Sequence, residues 1–466
     1  MKPFALLAAV LVSLSANAAD PLDQLTLERA IEIARENHRS LRASQAALDM
    51  AEAQYQQAMA AFGPKLGFEA GIERADQDRT FTFTSSVQTP AMDLSALLGP
   101  GAALRSQTIP MNMDVKLFDR DVSKAALNFT YPLYTGGKEE AVQGMARKGA
   151  EIAREEKRRT ELEVVRDVRK YYHGVQLAQN MEALSSDTLA RFEALEDLTE
   201  RLYQNASLRV KRTDYLRTKT TTAVTRSMLH EARYARRLSK EALINAMGLP
   251  LNTPLSLAPE EPAPVLNAGL EDLIADAMRF NPDKQRLELA VEAANYKIDE
   301  ARSGYLPTIG LEASTYKVWN DYQGGLFNDD NRDGWTIGIG LKWDLFDSGL
   351  TKAEVNAAHA GKLRLEAQRV LLDSGLALQI KDDFLRIERS RVQVEDNIKA
   401  HAYAEENRKL HVRAYQEEMV ETKDVIEAQI VETFTQASLY RASHELRTAL
   451  ADLDYRLGRA LQRDRP

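Results

Sequence analysis

Three kinds of residue in this chain have the makings of chemistry, and each falls short of a working set. Gly136-Gly137-Lys138 carries the residue types of a phosphate-gripping loop. The spaced upstream glycine is missing and Glu139 stands where Ser or Thr would hold a metal-bound phosphate, so the stretch reads as a turn. His444-Glu445 opens a zinc-binding helix motif, but the second histidine does not follow. Carboxylates are plentiful among the 69 Asp and Glu residues, and at that density neighbouring pairs arise by chance and solvate helix faces. No catalytic residues, metal ligands or cofactor-binding residues remain. The chain is expected not to be an enzyme, and its function must come from its architecture.

That architecture is written twice. Pro64-Lys65-Leu66-Gly67-Phe68-Glu69-Ala70 returns as Pro307-Thr308-Ile309-Gly310-Leu311-Glu312-Ala313. Leu133-Tyr134-Thr135-Gly136-Gly137 parallels Leu345-Phe346-Asp347-Ser348-Gly349, where Gly136, Gly137 and Gly349 let a strand turn into a helix. Asp214 to Gly248 aligns without gaps to Asp424 to Gly458. Five prolines between Pro250 and Pro264 mark residues 249–268 as a non-helical linker between the copies. The first repeat then covers residues 19–248 and the second 269–466.

Composition sets the compartment. Met1-Lys2, an apolar run from Phe4 to Leu14 and Ser15-Ala16-Asn17-Ala18 form a three-part secretory signal, with cleavage expected after Ala18. The chain has no cysteine, so an exported fold must be held by burial or assembly. No later stretch is apolar for long enough to span a bilayer as a helix, so any membrane crossing must use strands. A net charge of -8 argues against nucleic acid as a partner.

Four segments alternate at period two: about 65–75, 125–135, 308–319 and 335–346. Ile337, Ile339, Leu341, Trp343 and Leu345, for example, are separated by Thr336, Gly338, Gly340, Lys342 and Asp344. Such runs cross a bilayer as tilted strands, apolar toward lipid and polar toward a lumen. A half-buried soluble sheet alternates in the same way. The export signal and the aromatics at strand ends (Tyr134, Trp319, Tyr322, Trp335, Phe346) favour the membrane. Polar loops join each pair, 74–124 and 320–334, and Thr80 to Thr84 could extend the first hairpin.

Most of the remainder is helical. Lys138 to about Tyr203 and Leu350 to about Tyr415 contain no proline. At 1.5 Å per residue, each ~65-residue run would reach roughly 100 Å. Apolar residues recur at three and four, as in Val165, Val168, Tyr172 and Val175, which is coiled-coil spacing. Long helical hairpins are expected over about 138–248 and 350–460.

Together these features resemble the TolC-type outer membrane efflux protein family across the whole mature chain. The likeness rests on the paired proline-led strand starts, the glycine turns, and the stretch from Tyr415 through Thr422-Lys423-Asp424-Val425-Ile426-Glu427-Ala428-Gln429. It implies a mixed fold: a transmembrane β-barrel with four strands per chain, closed by trimerisation to twelve, and continued by a long α-helical coiled-coil periplasmic tunnel. Independently, four strands leave two open edges that the hydrocarbon region does not tolerate.

The resemblance also implies a passive exit duct for drug efflux or type I secretion, set in outer-membrane lipid. A periplasmic adaptor would dock on its helical tips and an inner-membrane pump would supply the energy. The turns between long helices would form the constriction, lined by acidic side chains. Matched by position, Tyr415, Asp424 and Glu427 fall on the second tip and Asp214 on the first. An acidic ring of Asp424 and Glu427 would favour cations. The family has glycine where this chain has Glu418, and often a basic residue at Val420, so the usual partner of Asp214 is missing. Tip one instead carries Arg209, Lys211 and Arg212, and tip two carries Glu417, Glu418 and Glu421. These opposed charges could latch neighbouring hairpins, or simply be solvated, since exposed pairs contribute only ~0–1 kcal/mol. The rival function is a periplasmic coiled-coil adaptor, which would carry one hairpin beside a lipoyl-like domain.

Overall fold

The computed structural model describes residues 22–93, 100, 103–104, 106–205, 210–321 and 332–459. Ala18, Arg209 and Tyr322 lie outside the described residues. The helices are α1 (Leu27–Asn37), α2 (Arg39–Ala61), α3 (Lys138–Gln204), α4 (Arg212–Ala246), α5 (Leu270–Phe280), α6 (Pro282–Arg302), α7 (Leu350–Gln416) and α8 (Thr422–Leu457). The strands are β1 (Leu22–Leu25), β2 (Lys65–Arg74), β3 (Arg79–Gln88), β4 (Met92–Asp93), β5 (Ala103–Leu104), β6 (Thr108–Phe118), β7 (Asp121–Tyr134), β8 (Leu255–Leu257), β9 (Thr308–Asn320) and β10 (Asp333–Lys342). The described residues fall into two units, one within 1–52, 148–292 and 363–466 and the other within 53–147 and 293–362.

Within the second unit, period-two alternation becomes an antiparallel sheet in the order β10-β9-β7-β2. Its register stacks like on like. Phe68 faces Leu127, Leu66 faces Phe129, Ile339 faces Leu311 and Ile337 faces Ala313. The alternate residues put Glu69, Asn128, Glu312, Ser314 and Thr336 on the other face, where the Ser314 and Thr336 hydroxyls lie 2.8 Å apart. The apolar face is bare, with Ile72 88% and Ile339 69% exposed. Among the described residues β2 and β10 pair on one side only.

Two stretches differ from the alternation. β10 stops at Lys342, four residues before the expected end at 346. The Trp343 indole donates to the Tyr305 carbonyl (3.1 Å), and Asp347 accepts from Gly349 N and Thr351 N (2.9 and 2.8 Å), turning the chain into α7. Within residues 74–124, expected as a polar loop, β3 and β6 pair as a separate ribbon with Phe81, Phe83, Met113 and Val115 exposed.

The strand-to-helix turns need left-handed backbone at Gly136 (φ 66), Gly137 (φ 84) and Gly349 (φ 87). Gly136 is also sterically required, because a Cβ there would sit 2.8 Å from that of Leu306. Ser348 takes the matching position of the second turn at φ 57.

The helices α3 and α7 are each 67 residues long, with no proline to break them. Their apolar stripes bury against short and returning helices. Val164, Val168, Tyr172 and Val175 of α3 pack on Ala30, Ile33 and Ala34 of α1, on Leu243 and Ile244 of α4 and on Met247 at its C-terminal cap. Leu376, Ile380 and Ile387 of α7 pack on Leu273 and Ala277 of α5 and on Leu446, Leu450, Leu453 and Leu457 of α8. Each fully buried aliphatic side chain contributes roughly 1.5–3 kcal/mol.

The linker is anchored rather than loose. Its β8 pairs in parallel with β1, and the Tyr172 hydroxyl donates to Leu25 O (2.9 Å). Arg447 pairs with Glu260 (2.8 Å) and donates to Glu261 O (2.6 Å).

Candidate functional site

The returning helices start in the same way at both tips. Lys211 and Glu421 occupy the N-cap positions in extended backbone. Asp214 accepts from Lys211 N and Asp424 from Glu421 N, both at 3.0 Å. In return Asp214 N and Asp424 N donate to the Lys211 and Glu421 carbonyls (3.0 and 3.1 Å). A carboxylate one turn into a helix satisfies an otherwise orphaned N–H and suits the positive end of the helix dipole. Both aspartates are therefore half-buried and oriented by capping. Glu427, one turn further along α8, is exposed.

Tyr415 is buried, at 3% exposure. Its hydroxyl lies 3.0 Å from both Thr199 Oγ1 of α3 and Thr422 Oγ1 of α8. Thr199 already donates to Leu195 O (2.8 Å), so Tyr415 donates to Thr199 and Thr422 donates to Tyr415. Around this relay Phe192 and Leu195 of α3 pack with Tyr415, Val425 and Ile426. Tyr415 thus joins the first hairpin to the second inside one chain.

Lys211, Arg212, Glu417, Glu418 and Glu421 are all exposed. Glu421 pairs with Lys423 of its own tip at 3.0 Å, an exposed pair that raises the Lys423 pKa through its hydrogen bond. Glu418 ends α7 in left-handed backbone (φ 54). Glu418 N donates to Tyr415 O (3.0 Å) and Met419 N to Ala414 O (2.8 Å), the double bond of a glycine-type helix stop.

Sequence reasoning missed the buried charges. Glu432 of α8, its side chain 3% exposed, pairs with Arg191 of α3 (2.7 Å) and Arg408 of α7 (2.5 Å). The signal was available: Val425, Gln429 and Glu432 continue one buried helical stripe, so an acid there needed a partner. Asp383 is likewise buried against Arg456 (2.5 Å), and burial pushes its pKa up to about 6 despite that cation.

Beside the linker a cavity of about 380 Å³ is lined by His173, Asn180, Glu260, Tyr440, His444 and Arg447, among others. Burial pushes the His173 pKa down to about 4, with Arg447, His444 and Arg169 adding to the effect against its Gln176 hydrogen bond. Among the described residues no three His, Cys, Asp or Glu side chains are grouped to hold a metal ion.

The family described as outer membrane efflux protein matches residues 30–249 and 273–459, most of the chain. The probable efflux pump outer membrane protein TtgC of Pseudomonas putida is 25% identical over 248 residues, 51% of this chain and 50% of that protein. The alkaline protease secretion protein AprF of Pseudomonas aeruginosa is 27% identical over 194 residues, 40% of this chain and 39% of that protein. The chain thus spans half or less of the length of these relatives. The outer membrane protein VceC of Vibrio cholerae superposes with a TM-score of 0.73 at 19% identity, over 94% of this chain and 97% of VceC. Two separate matched stretches, a bare apolar sheet face and paired long helices agree on one conclusion: this chain belongs to the outer membrane efflux protein family.

Proposed function

We propose that the chain is one third of a passive exit duct, in which three copies close a twelve-stranded barrel in the outer membrane and their helices form a periplasmic tunnel. The observation that carries this reading is the sheet. It has four strands, two unpaired edges and an apolar face that water does not favour. Pairing β2 of one copy with β10 of the next removes every edge at once. The fold shared with VceC and the two-part family match support the same assembly. A periplasmic adaptor function offers no use for such a sheet.

In this reading the helical tips form the gate. Asp214, Asp424 and Glu427 supply an acidic ring, with capping fixing the two aspartates, and Tyr415 supports the ring from behind. Lys211 and Arg212, with Arg209, oppose Glu417, Glu418 and Glu421 across neighbouring chains as a latch. A periplasmic adaptor meets the tips and an inner-membrane pump drives the cargo. The names of TtgC and AprF make efflux and protein secretion the two cargo classes to separate.

Fractionation and crosslinking test this directly. The protein should sediment with the outer membrane and run as a trimer, and a photo-crosslinker at Arg212 should capture an inner-membrane-anchored partner. A monomer in the soluble periplasm would refute the duct.

A further inference from the structure

The ribbon of β3 and β6 is two-faced. Phe81 stands opposite Val115, Phe83 opposite Met113 and Val87 opposite Ile109, all of them exposed. On the other face Thr80, Thr82 and Thr84 stand opposite Lys116, Asp114 and Asn112, and the Thr82 hydroxyl donates to Asp114 (2.6 Å). Residues 80–92 and 106–113 carry no charge. A two-stranded ribbon is marginal in water by itself, and a bare apolar face marks a binding surface.

The base of the ribbon indicates what covers that face. The ribbon continues the β2–β7 hairpin, from which only residues 75–78 and 119–120 separate it. At the end of the sheet away from the helix turns, Trp319 lies opposite Ser123 and Trp335 opposite Thr315, both indoles exposed on the apolar face. Aromatic side chains in that position mark the level of the lipid headgroups. Ser123 is two residues from the start of β7, where the backbone is held by polar contacts. Lys116 bridges Asp78 and Asp119 (2.7 and 3.4 Å), Arg120 N donates to Asp78 (3.0 Å), and the Asn320 amide donates to Asp121 O (3.2 Å). The ribbon therefore leaves the sheet at headgroup level from a fixed base. Among the described residues its two strands pair only with each other, and the hydrocarbon core does not tolerate such open edges. That excludes a spanning position and fits a flat one, with the apolar face toward acyl chains and the polar face toward water.

We propose that the ribbon lies on the outer leaflet of the outer membrane as an interfacial anchor, with Phe81, Phe83, Val87, Ile109, Met111 and Met113 against lipid. It gives each chain a hold on the membrane beyond its four strands. This rests on the membrane placement of the sheet in the duct reading above.

The chain has no cysteine, so spin labels can be placed one at a time on the full-length protein in phosphatidylethanolamine–phosphatidylglycerol vesicles. Labels at Phe81→Cys, Phe83→Cys and Met113→Cys should collide mainly with oxygen, which concentrates in lipid. Labels at Thr82→Cys, Thr84→Cys and Asn112→Cys should collide mainly with a water-soluble nickel chelate, so that the oxygen-to-nickel ratio alternates several-fold along the strand. Ile339→Cys on the sheet is the reference. A label at Ile339 in lipid with one at Phe83 open to nickel would overturn the ribbon's placement and leave the duct reading intact. Ribbon labels on the apolar face screened from both reagents would overturn it as well, because protein, another copy of the chain included, would then cover that face. Nickel reaching Ile339 would sink the membrane placement of the sheet and the ribbon's with it.

Discussion

The hairpin seam and the sheet solve opposite problems. At the seam a single chain buries everything it needs: Phe192, Leu195, Val425 and Ile426 pack together, and even Glu432 finds its cations within the chain. The sheet leaves Leu66, Phe68, Ile337 and Ile339 bare and two edges unpaired. One region finds its partners within a single chain, and the other leaves apolar side chains and strand edges without partners in it.

The contrast can be broken most strongly at the seam. Leu195→Ala should cost about 2–5 kcal/mol in urea unfolding, the usual loss for a buried leucine. Ile337→Ala, already exposed in the chain, should cost far less by the same assay. Next in size, Ile339→Arg should disfavour membrane assembly by about 2–4 kcal/mol, read as loss of trimer in the outer membrane. Thr336→Arg, one strand step from Ile337 and on the polar face, should still assemble.

A third effect is sharper than it is large. His173 has its pKa lowered from 6.5 to about 4, so the folded state holds the ring neutral. The stability this contributes is present above the unfolded value and is lost as pH falls through about 4. Unfolding free energies from urea titrations should decline between pH 6.5 and about 4 by on the order of 3 kcal/mol per chain, and His173→Gln should flatten the decline. The smallest change is a gain: Glu418→Gly relieves a left-handed glutamate and should add about 0.5–1 kcal/mol, measured as a raised urea midpoint.

Much of the architecture was legible because it is periodic. The proline-free run beginning at Lys138 reads as a helix from spacing alone, as do the strands around Phe68 and Ile339 from alternation. Periodicity is local, so it survives in a sequence read by itself. The end of β10 was less legible, since the pull of Tyr305 O on Trp343 comes from 38 residues away.

The tip residues divide along the same line. Sequence matching could bring Tyr415, Asp424 and Asp214 to the helix turns, but their hydrogen bonds depend on neighbours distant in the chain or on cap geometry. Tyr415 meets Thr199 across 216 residues, and Glu432 meets Arg191 across 241. The sequence alone determined the long helices and the alternating faces of the four strands, because each follows from spacing along one stretch of chain. Only the tertiary structure decided that Tyr415 lies buried, that the two aspartates cap helices, and that one carboxylate joins two hairpins. Those outcomes depend on which stripes meet, and burial alone makes an unpaired charge costly enough to fix the answer.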